Sequence, residues 1–382
     1  MAELTVPLSR CALPADGALQ RESPRPPELR NASYAAQFDW HTLFYDVFRA
    51  DSHIVFQGPP LFNLLEPLRA SAPFDRAMRG WWKQARLIER NRVSEIWLRS
   101  DADHVVIDGP IGHWNIAVQP DQATMFAGRR VLHTLSKDNE IRWIRDWIRF
   151  YRDIHGADAV LFYDNNSTRY SAAELRGELR ATFPDMVIEV VAWPFLYGPQ
   201  GGMAGAVDGQ EAPWDSDYCQ SGSLQHARFR FLRQARSVLN VDIDELVLSS
   251  QGRSIFAATE QSRAGFIKFP GRWITGLADR PIAESGASLG DFVLYDRQED
   301  VVCPPKWCVV PHARQRRDQH WSVHNIFGAR ANRHLSEEFT YRHMRAISNN
   351  WKADRREDQA IDTATFATDK ALSTAFETIG LR

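Results

Sequence analysis

Residues 130–193 alternate between apolar strand patterns and amphipathic helix patterns, and this order restricts the fold more than any other feature of the sequence. The predicted elements are strands at 130–136, 158–164 and 186–193 and helices at 140–156 and 172–183. A β-α-β-α-β order predicts a parallel, doubly wound sheet, because helices make the crossovers between parallel strands. We therefore expect an α/β fold that binds ligands at the carboxyl ends of its strands.

The remaining sequence suggests a division into four regions. We predict a flexible tail at 1–36, a mostly β accessory region at 37–125 with a helix near Phe74–Arg92, an α/β domain at 126–345, and a helical segment at 346–382 that runs from about Ser348 to Thr378. Further elements are expected as a helix at 223–236 and strands at 237–245, 265–269, 291–296 and 306–311. A Gly-rich stretch at 198–209 is either a plain surface loop or a lid.

Composition excludes several classes of protein. The 382 residues are 44% hydrophobic with a formal net charge of −2, which disfavours a nucleic-acid binder because such proteins usually carry a basic excess. Four isolated cysteines favour buried thiols in a reducing compartment over a disulfide framework. No apolar run reaches the roughly 18 residues of a membrane-spanning helix. We expect a soluble cytoplasmic protein.

The segment 238-VLNVDIDELVL-248 contains the strongest chemical signal, an apolar strand that ends in Asp242, Asp244 and Glu245. On a strand that continues to residue 245, Asp242 and Asp244 would point to one face. Two carboxylates on one face repel each other unless a cation or a donor lies between them. Hard divalent cations prefer such ligands, and Mg²⁺ often shares its shell with substrate phosphates. The motif therefore predicts a Mg²⁺ or Mn²⁺ site, with a solvated strand end as the alternative.

Two further motifs follow predicted strands. Asn139 and Glu140 lie at a strand–helix junction, where nucleotide groups are usually held, although acids there also suit the helix dipole. Asp164 and Asn165 end the next strand, and Asp164 could accept hydrogen bonds from a ribose or a base. The alternative at this position is an Asx turn.

Four histidines, His312, His320, His324 and His343, lie in the last quarter of the chain. His324 sits between apolar residues on an expected strand, which would aim it inward. A neutral imidazole can complete a metal shell that already has two carboxylates, although water often fills that position. His324 is therefore a candidate metal ligand.

The ordered series of these motifs resembles glycosyltransferase family 92 and related family-2-like enzymes. The resemblance covers 137-KDNEIRWIRDWIRFYRDIHGADAVLFYDNNS-167, 242-DIDE-245, Lys306, His324 and 343-HMRAISNNWK-352. It spans roughly residues 130–352, which makes it more specific than any single motif. The chain departs from the family pattern at Met344, where the family usually has an aromatic residue.

The resemblance implies a GT-A fold, with a mixed, mostly parallel sheet, and assigns roles to individual residues. It gives Asn139, Glu140, Asp164 and Asn165 to the nucleotide, Asp242, Asp244 and His324 to Mn²⁺ or Mg²⁺, and Lys306 and His343 to the diphosphate or the donor sugar. Candidates for the catalytic carboxylate are Asp279, in a loop that would face the acceptor, and Glu245. Trp273 in the same loop is expected to stack on a sugar or to pack in the core.

The expected function is transfer of a sugar from a nucleotide sugar, first of all a UDP-sugar, to a glycan or a lipid-linked saccharide. Bacterial surface polysaccharide synthesis is the expected context, which is compatible with contact at the inner face of a membrane. A nucleotidyltransferase acting on sugar phosphates is one alternative, although 135-LSKDNE-140 lacks the glycines of a phosphate loop. A non-catalytic carbohydrate-binding scaffold is the other alternative.

Overall fold

The computed structural model describes residues 6–79, 83–90, 92–311, 319–347 and 362–382. These residues cluster into two compact units. We call residues 125–192 with the described part of 232–382 the sheet unit, and the described part of 6–124 with 193–231 the N-terminal unit.

Short strands and helices alternate along the described part of the chain. The strands, in chain order, are β1 (Cys11–Ala12), β2 (Thr42–Phe44), β3 (Asp46–Ala50), β4 (His53–Gly58), β5 (Ala85–Arg90), β6 (Val93–Arg99), β7 (His104–Gly109), β8 (Gly112–Ala117), β9 (Arg130–Ser136), β10 (Ala159–Asp164), β11 (Val187–Ala192), β12 (Gly202–Val207), β13 (Gln210–Ala212), β14 (Ser237–Asn240), β15 (Glu245–Ser249), β16 (Phe266–Ile274), β17 (Leu294–Asp296), β18 (Cys303–Val309), β19 (His320–Trp321), β20 (Ile326–Phe327), β21 (Phe339–Met344) and β22 (Phe366–Thr368). The α-helices are α1 (Tyr34–Gln37), α2 (Leu65–Arg69), α3 (Phe74–Ala77), α4 (Ile141–His155), α5 (Ala172–Thr182), α6 (Tyr218–His226), α7 (Ile255–Gln261) and α8 (Lys370–Thr378).

An eight-stranded mixed sheet forms the centre of the sheet unit, in the order β11-β10-β9-β14-β18-β16-β21-β15. The four strands β11, β10, β9 and β14 are mutually parallel. Strand β18 is antiparallel to β14 and β16, β21 is parallel to β16, and β15 is antiparallel to β21. The predicted α/β class is confirmed at this level, as an α/β unit with a large mixed sheet.

The β9-α4-β10-α5-β11 segment forms as the periodicity predicts, to within two residues at each boundary. Helix α4 packs Trp143, Ile144 and Trp147 into the core of the sheet unit. The helix ends at Gly156, whose φ of 68° lies in the left-handed region that favours glycine at this position. Helix α5 begins with a capping box, in which Ser171 accepts a hydrogen bond from the backbone N–H of Glu174.

The predicted strand at 237–245 is wrong in its second half. Strand β14 ends at Asn240, and the next strand, β15, begins at Glu245 on the far edge of the sheet. Asp242 and Asp244 therefore lie in the connection between two strands, not on one face of a single strand. Apolar residues recur at short intervals from Val238 to Leu248, so their periodicity does not show where β14 ends.

The N-terminal unit is built on the antiparallel sheet β3-β4-β6-β5, with the hairpin β7-β8 as a second sheet. The helix predicted near Phe74–Arg92 is wrong: the described residues form the short helix α3 and then strand β5. Residues 6–36 belong to the predicted tail, yet Arg21 and Arg25 are fully buried and strand β1 pairs with β2. Their burial shows that this part of the chain packs as an integral part of the unit.

Residues 193–231 cluster with the N-terminal unit, although the predicted domain boundaries place them within 126–345. Helix α6 carries the small residues Ser221, Gly222 and Ser223, all buried. A Cβ atom at Gly222 would lie 2.5 Å from the ring of Tyr45, so only glycine allows this approach. The Gly-rich stretch at 198–209 contains β12 and the turn that leads into β13, with which β12 forms a hairpin. Residues 193–231 thus pack closely against a segment that is distant in the sequence. No local sequence pattern indicates such a contact, so the domain boundary could not be predicted from it.

The C-terminal helical prediction from Ser348 to Thr378 lies partly outside the described residues, which resume at 362. Strand β22 and helix α8 form the described part, and Asp369 caps α8 by accepting a hydrogen bond from the N–H of Leu372. In the described ranges of the chain, no helix combines the length and the apolar character needed to cross a membrane. All four cysteines are buried free thiols, as their isolated positions predict.

The fold predicts a specific loss of stability for Tyr151→Phe. The buried Tyr151 hydroxyl donates to the carbonyl of Glu245 at 2.8 Å and accepts from the N–H of Val247 at 3.0 Å. Its removal leaves two backbone groups at the start of β15 without a partner, which costs about 1–3 kcal/mol. We expect that decrease in the free energy of unfolding, measured by urea denaturation. Tyr295→Phe, at a hydroxyl without a hydrogen bond to described residues, is the matched control, and equal losses would contradict the assignment.

Candidate functional site

The strand directions bring the predicted site residues to one edge of the large sheet. The parallel strands β9, β10 and β14 end there, and Asn139, Asp164 and Asp242 follow or close them. Strands β18 and β15 run the other way and begin at the same edge. The topology thus collects residues from six strands, which are, in chain order, Asn139, Glu140, Asp164, Asn165, Asp242, Asp244, Glu245, Lys306 and His343.

Lys306 holds the acidic connection in place. Its ammonium lies 2.8 Å from Asp242 Oδ2 and 2.9 Å from Glu245 Oε2. The side chains of Lys306 and Glu245 are buried, whereas that of Asp242 is 37% exposed. Glu245 Oε2 also accepts the backbone N–H of Asp242 at 2.9 Å. Lys306 and Glu245 therefore form the support beneath a more accessible Asp242.

The environment separates the pKa values of these groups. Burial raises the pKa of Glu245 to about 7, against the effect of Lys306. Burial alone would raise the pKa of Asp242, but the Lys306 ammonium holds it below its usual value. Burial likewise opposes the charge on Lys306, and the two carboxylates more than offset it, so its pKa is raised. Asp242 is thus an anion and Lys306 a cation at neutral pH.

His343 pairs with the second aspartate of the motif. Its Nε2–H donates to Asp244 Oδ2 at 3.1 Å, and Glu245 is its direct neighbour on β15. Burial would lower the pKa of His343, but the Asp244 carboxylate and its hydrogen bond raise it to about 10. His343 is therefore an imidazolium at neutral pH, and the family-implied role near a diphosphate would use this charge.

Aromatic stacking fixes the ring of His343. Trp273 at the end of β16 stacks on the imidazole with 4.0 Å between ring centroids and 16° between ring planes. The guanidinium of Arg345 also lies over the Trp273 ring, 4.9 Å from its centroid. Trp273 also packs against the core of the sheet unit, which is the core-packing alternative given for it. Its stacking on His343 was not predicted, because the two residues lie about seventy positions apart in the sequence. Trp273 is a positioning residue for His343.

His324 lies in the turn of the hairpin β19-β20, so its expected place on a strand is wrong. Its Nδ1 contacts the carbonyl of Pro305 at 3.1 Å, which makes Nδ1 the protonated nitrogen and leaves the lone pair on Nε2. Burial and the nearby Lys306 lower its pKa to about 4. His324 is thus a neutral imidazole with the tautomer that metal ligation through Nε2 requires. Of the other predicted histidines, His320 is buried on β19 and His312 lies outside the described residues.

The predicted nucleotide residues form the rim at the ends of β9 and β10. Asp164 fixes the loop after β10, since its carboxylate accepts from the hydroxyl of Ser167 at 2.5 Å and from its N–H at 3.2 Å. These bonds reach three residues along the chain, whereas an Asx turn would reach two. Asn165 donates its N–H to the carbonyl of Ser136, and Asn139 donates its side-chain amide to the Ser136 hydroxyl. Glu140 precedes α4 and pairs with Arg142.

Sequence reasoning missed Asp138, which joins the two loops of this rim. Its carboxylate accepts from the N–H groups of Thr168 and Arg169 at 2.6 and 3.1 Å. Its φ of 53° is in the left-handed region, where aspartate is among the few tolerated residues. The signal that could have identified it is the turn-forming run 137-KDN-139 directly after a strand.

The two predicted catalytic carboxylates are both held in ion pairs. Asp279 binds Arg382 through two contacts, of 2.8 and 2.5 Å. Glu245 is buried against Lys306. A role as base for either residue would require its ion pair to open first.

The described residues contain no preassembled group of three His, Cys, Asp or Glu side chains that could hold a metal ion. The two aspartates nevertheless fit a cation that takes its other ligands from substrate and water. Lys306 and His343 each engage an Oδ2 atom, and the Oδ1 atoms of Asp242 and Asp244 accept no hydrogen bond from described residues. Mg²⁺ and Mn²⁺ sites in phosphate-transferring enzymes commonly need no more than one or two carboxylates.

The sheet unit is thus an α/β structure in which acidic residues lie at one edge of a mixed sheet, directly after strand β14. Comparison with protein families identifies it further: the sequence model described as glycosyltransferase family 92 matches residues 135–375, more than half of the chain. The chain belongs to glycosyltransferase family 92, and the family predicted from the motifs is confirmed. A comparison with individual curated proteins gives no significant match. Family membership supports a transferase that takes a sugar from a donor to an acceptor.

Lys306→Met is predicted to destabilise the sheet unit by about 3–5 kcal/mol, because it leaves a buried carboxylate without its cation. Lys370→Met, at an exposed lysine of α8, is the matched control. Urea denaturation measures both variants. Adding Glu245→Gln to Lys306→Met should recover part of the loss, since the uncompensated charge is then removed. A Lys306→Met protein as stable as the control would show that the ion pairs are dispensable.

His343 is predicted to remain protonated through neutral pH. Its folded pKa of about 10 lies above the ordinary value of 6.5, so its stabilising effect is complete below about pH 6.5 and is lost as the pH rises through 10. NMR titration of ¹⁵N-histidine-labelled protein should show the imidazolium at pH 8, and Asp244→Asn should move the titration to lower pH. Asp185→Asn is the control. A His343 that titrates near pH 6.5 in the unmodified protein would contradict the assignment.

Proposed function

We propose that the chain is a metal-dependent glycosyltransferase that moves a sugar from a nucleotide-sugar donor to a glycan or a lipid-linked saccharide. The observation that carries this proposal is the convergence of Asp242, Asp244 and two cationic side chains at the carboxyl edge of the sheet. Ligands of open α/β sheets bind at such an edge. Membership in glycosyltransferase family 92 supplies the reaction class.

In this proposal Asp242 and Asp244 hold the Mn²⁺ or Mg²⁺ ion through their open oxygens, with His324 as a further ligand. The cation, when bound, supplies positive charge to the departing diphosphate. Lys306 keeps Asp242 ionised and fixed, and the imidazolium of His343 pairs with Asp244. The tautomer of His324 supports its place as a neutral ligand. Asp242 therefore needs no proton loss before the cation binds.

The rim at the ends of β9 and β10 would bind the nucleoside, through Asn139, Glu140, Asp164 and Asn165. Because the carboxylate of Asp164 is engaged with Ser167, the ribose or base would also meet the backbone groups of that loop. His343, as a cation beside Asp244, would meet the negative charge that develops on the diphosphate. Lys306 is buried, so we assign it to the support of Asp242 and not to direct contact with the donor.

The attacking acceptor hydroxyl must lose its proton as the new glycosidic bond forms and the bond to the diphosphate breaks. Glu245 and Asp279 were the sequence candidates for this base. The burial of Glu245 and the Arg382 contact of Asp279 favour a positioning role for each. We propose a UDP-sugar as the first donor to test and bacterial surface polysaccharide as the setting, at the cytoplasmic side of the membrane and without a nucleic-acid partner.

Loss of either aspartate is predicted to abolish donor cleavage. In a panel of nucleotide sugars with Mn²⁺ or Mg²⁺, we expect turnover of one donor that stops when EDTA removes the metal. Asp242→Asn and Asp244→Asn should each reduce that rate by about 10²-fold or more, because charge neutralisation of the leaving group is worth several kcal/mol. Asp185→Asn, an exposed carboxylate before β11 at the opposite edge, is the matched control.

Two results would oppose the proposal. Turnover that persists in EDTA, or in Asp244→Asn, would refute metal dependence through this motif. A folded protein that neither binds nor cleaves any nucleotide sugar would favour the carbohydrate-binding scaffold.

A further inference from the structure

Four side chains form a row across the middle strands of the large sheet. His133 on β9, Asn240 on β14, Trp307 on β18 and Lys268 on β16 are direct neighbours in the strand pairing. Residues opposite each other on paired strands share a face of the sheet, so these four side chains project to the same side. We call them the cross-strand row. The row lies at the level where β14 ends, two residues before Asp242.

Three members of the cross-strand row bind the turn of the hairpin β19-β20. Each donates a hydrogen bond to a different residue of the turn, and the contacts are Trp307 Nε1 to the Ser322 carbonyl at 2.7 Å, Asn240 Nδ2 to the Val323 carbonyl at 3.2 Å and Lys268 Nζ to Asn325 Oδ1 at 2.5 Å. The remaining residue of the turn, His324, donates to the carbonyl of Pro305 on β18. Every residue from 322 to 325 is thus attached to the large sheet, and these attachments determine where the imidazole lies.

Asn240 is the member of the row that connects two parts of the proposed metal site. Its backbone leads from β14 to Asp242, and its amide holds the carbonyl of Val323, the residue before His324. His324 lies close enough to Asp242 for the carboxylate to oppose the decrease in pKa that burial and Lys306 cause. Asn240 is 6% exposed, so water competes little for its hydrogen bonds. One buried amide therefore sets the position of His324 relative to Asp242.

His133 fixes the orientation of the Asn240 amide. Its Nδ1 lies 3.1 Å from Asn240 Oδ1, and because that oxygen can only accept, Nδ1 carries the proton. Burial lowers the pKa of His133 to about 4, so the ring is neutral at neutral pH. A flipped amide would set its N–H groups against this donor and its oxygen against the carbonyl of Val323. The buried imidazole therefore keeps the amide nitrogen of Asn240 directed at Val323.

We propose that Asn240 is a positioning residue for His324, with His133 as the residue that orients its amide. Hydrogen-bond partners outside the metal shell orient the ligands within it, and their removal typically weakens metal affinity about 10–100-fold. The consequence for metal binding rests on the proposed glycosyl transfer, in which His324 is a ligand of the cation. The position of His324 can be measured without any metal, so the two proposals can fail separately.

The first measurement is NMR of the metal-free full chain labelled with ¹⁵N-histidine, in which the His324 signals are identified by their loss in His324→Ala. We expect the Nδ1–H tautomer of His324 in the unmodified protein. Asn240→Leu is similar in size but has no amide, so it releases Val323 and should shift these signals and mix the two tautomers. Asn115→Leu, at an exposed asparagine of β8 in the N-terminal unit, is the matched control.

The second measurement is the Kd of Mn²⁺, obtained from the electron paramagnetic resonance signal of the free ion. Asn240→Leu should raise this Kd by about tenfold or more, and Asn115→Leu should leave it unchanged. If Asn240 acts through His324, Asn240→Leu should have little further effect in a protein that already carries His324→Ala. A general loss of packing would instead weaken Mn²⁺ binding in both backgrounds.

Replacement of His133 tests the same contacts one residue further from the turn, and it decides the question if Asn240→Leu does not fold. His133→Leu removes the donor to Asn240 and should change the His324 signals and the Kd of Mn²⁺ in the same direction as Asn240→Leu. His133→Asn restores an N–H donor at the branch point where the imidazole has Nδ1, and it should recover both properties. Circular dichroism of each variant verifies that it is folded.

Changed His324 signals in Asn240→Leu, together with recovery in His133→Asn relative to His133→Leu, would support the proposal. Unchanged His324 signals in Asn240→Leu would overturn it, and so would equal effects of the two His133 variants. A Kd of Mn²⁺ that Asn240→Leu does not alter, or alters equally in the His324→Ala background, would overturn the consequence for the metal. An unmodified protein that binds no Mn²⁺ would refute the proposed metal site, and the NMR comparison would still decide whether Asn240 positions His324.

Discussion

The ion pairs of Lys306 are the interaction on which the site depends. Three acids occur within four residues of chain, and repulsion among them would open the connection between β14 and β15 if no cation lay beside it. Strand β18 is the direct neighbour of β14, and its direction brings Lys306 to the edge where that connection starts. A buried lysine so placed is costly without its carboxylates, and the carboxylates are costly without the lysine. The conformation of the β14–β15 connection therefore depends on the pairing of β14 with β18, two strands more than sixty residues apart in the sequence.

His343 pairs with Asp244, the second aspartate of the motif, as Lys306 pairs with Asp242. It lies across from Glu245 on the adjacent strand and stacks on Trp273 of the next one, so β15, β21 and β16 meet at this point. Each aspartate of the motif thus has one oxygen bound by a cation and the other open. This arrangement leaves one oxygen of each carboxylate without a hydrogen bond from the described residues, and a hard cation shared with a diphosphate would use such oxygens.

Local periodicity was sufficient to predict β9 through β11, since each of these elements follows from a pattern of six to fifteen consecutive residues. The family and the convergence of the motifs could also be predicted, because motif order survives in a single sequence. The break after Asn240 could not, because β15 owes its place to pairing with β21, nearly a hundred residues later. The stacking of Trp273 on His343 and the contact of Asp279 with Arg382 could not be predicted either, because each joins residues far apart in the sequence. The strand at Ala85–Arg90 was mistaken for a helix because pairing with β6, and not its own pattern, decides its conformation.

The interleaving of the two units along the chain also has an electrostatic basis. Within the N-terminal unit, the fully buried carboxylate of Asp46 contacts His226 at 2.9 Å and Arg230 at 2.7 Å, and it accepts the N–H groups of Ser9 and Val47. Burial opposes its charge, yet Arg230 and His226 hold the pKa of Asp46 below its ordinary value. These donors come from three separate stretches of chain, near residues 9, 47 and 226–230. A buried carboxylate is stable only when such donors are present together. The contacts of His226 and Arg230 with Asp46 therefore stabilise the packing of 193–231 beside β3, and they are one physical reason why this segment clusters with the N-terminal unit.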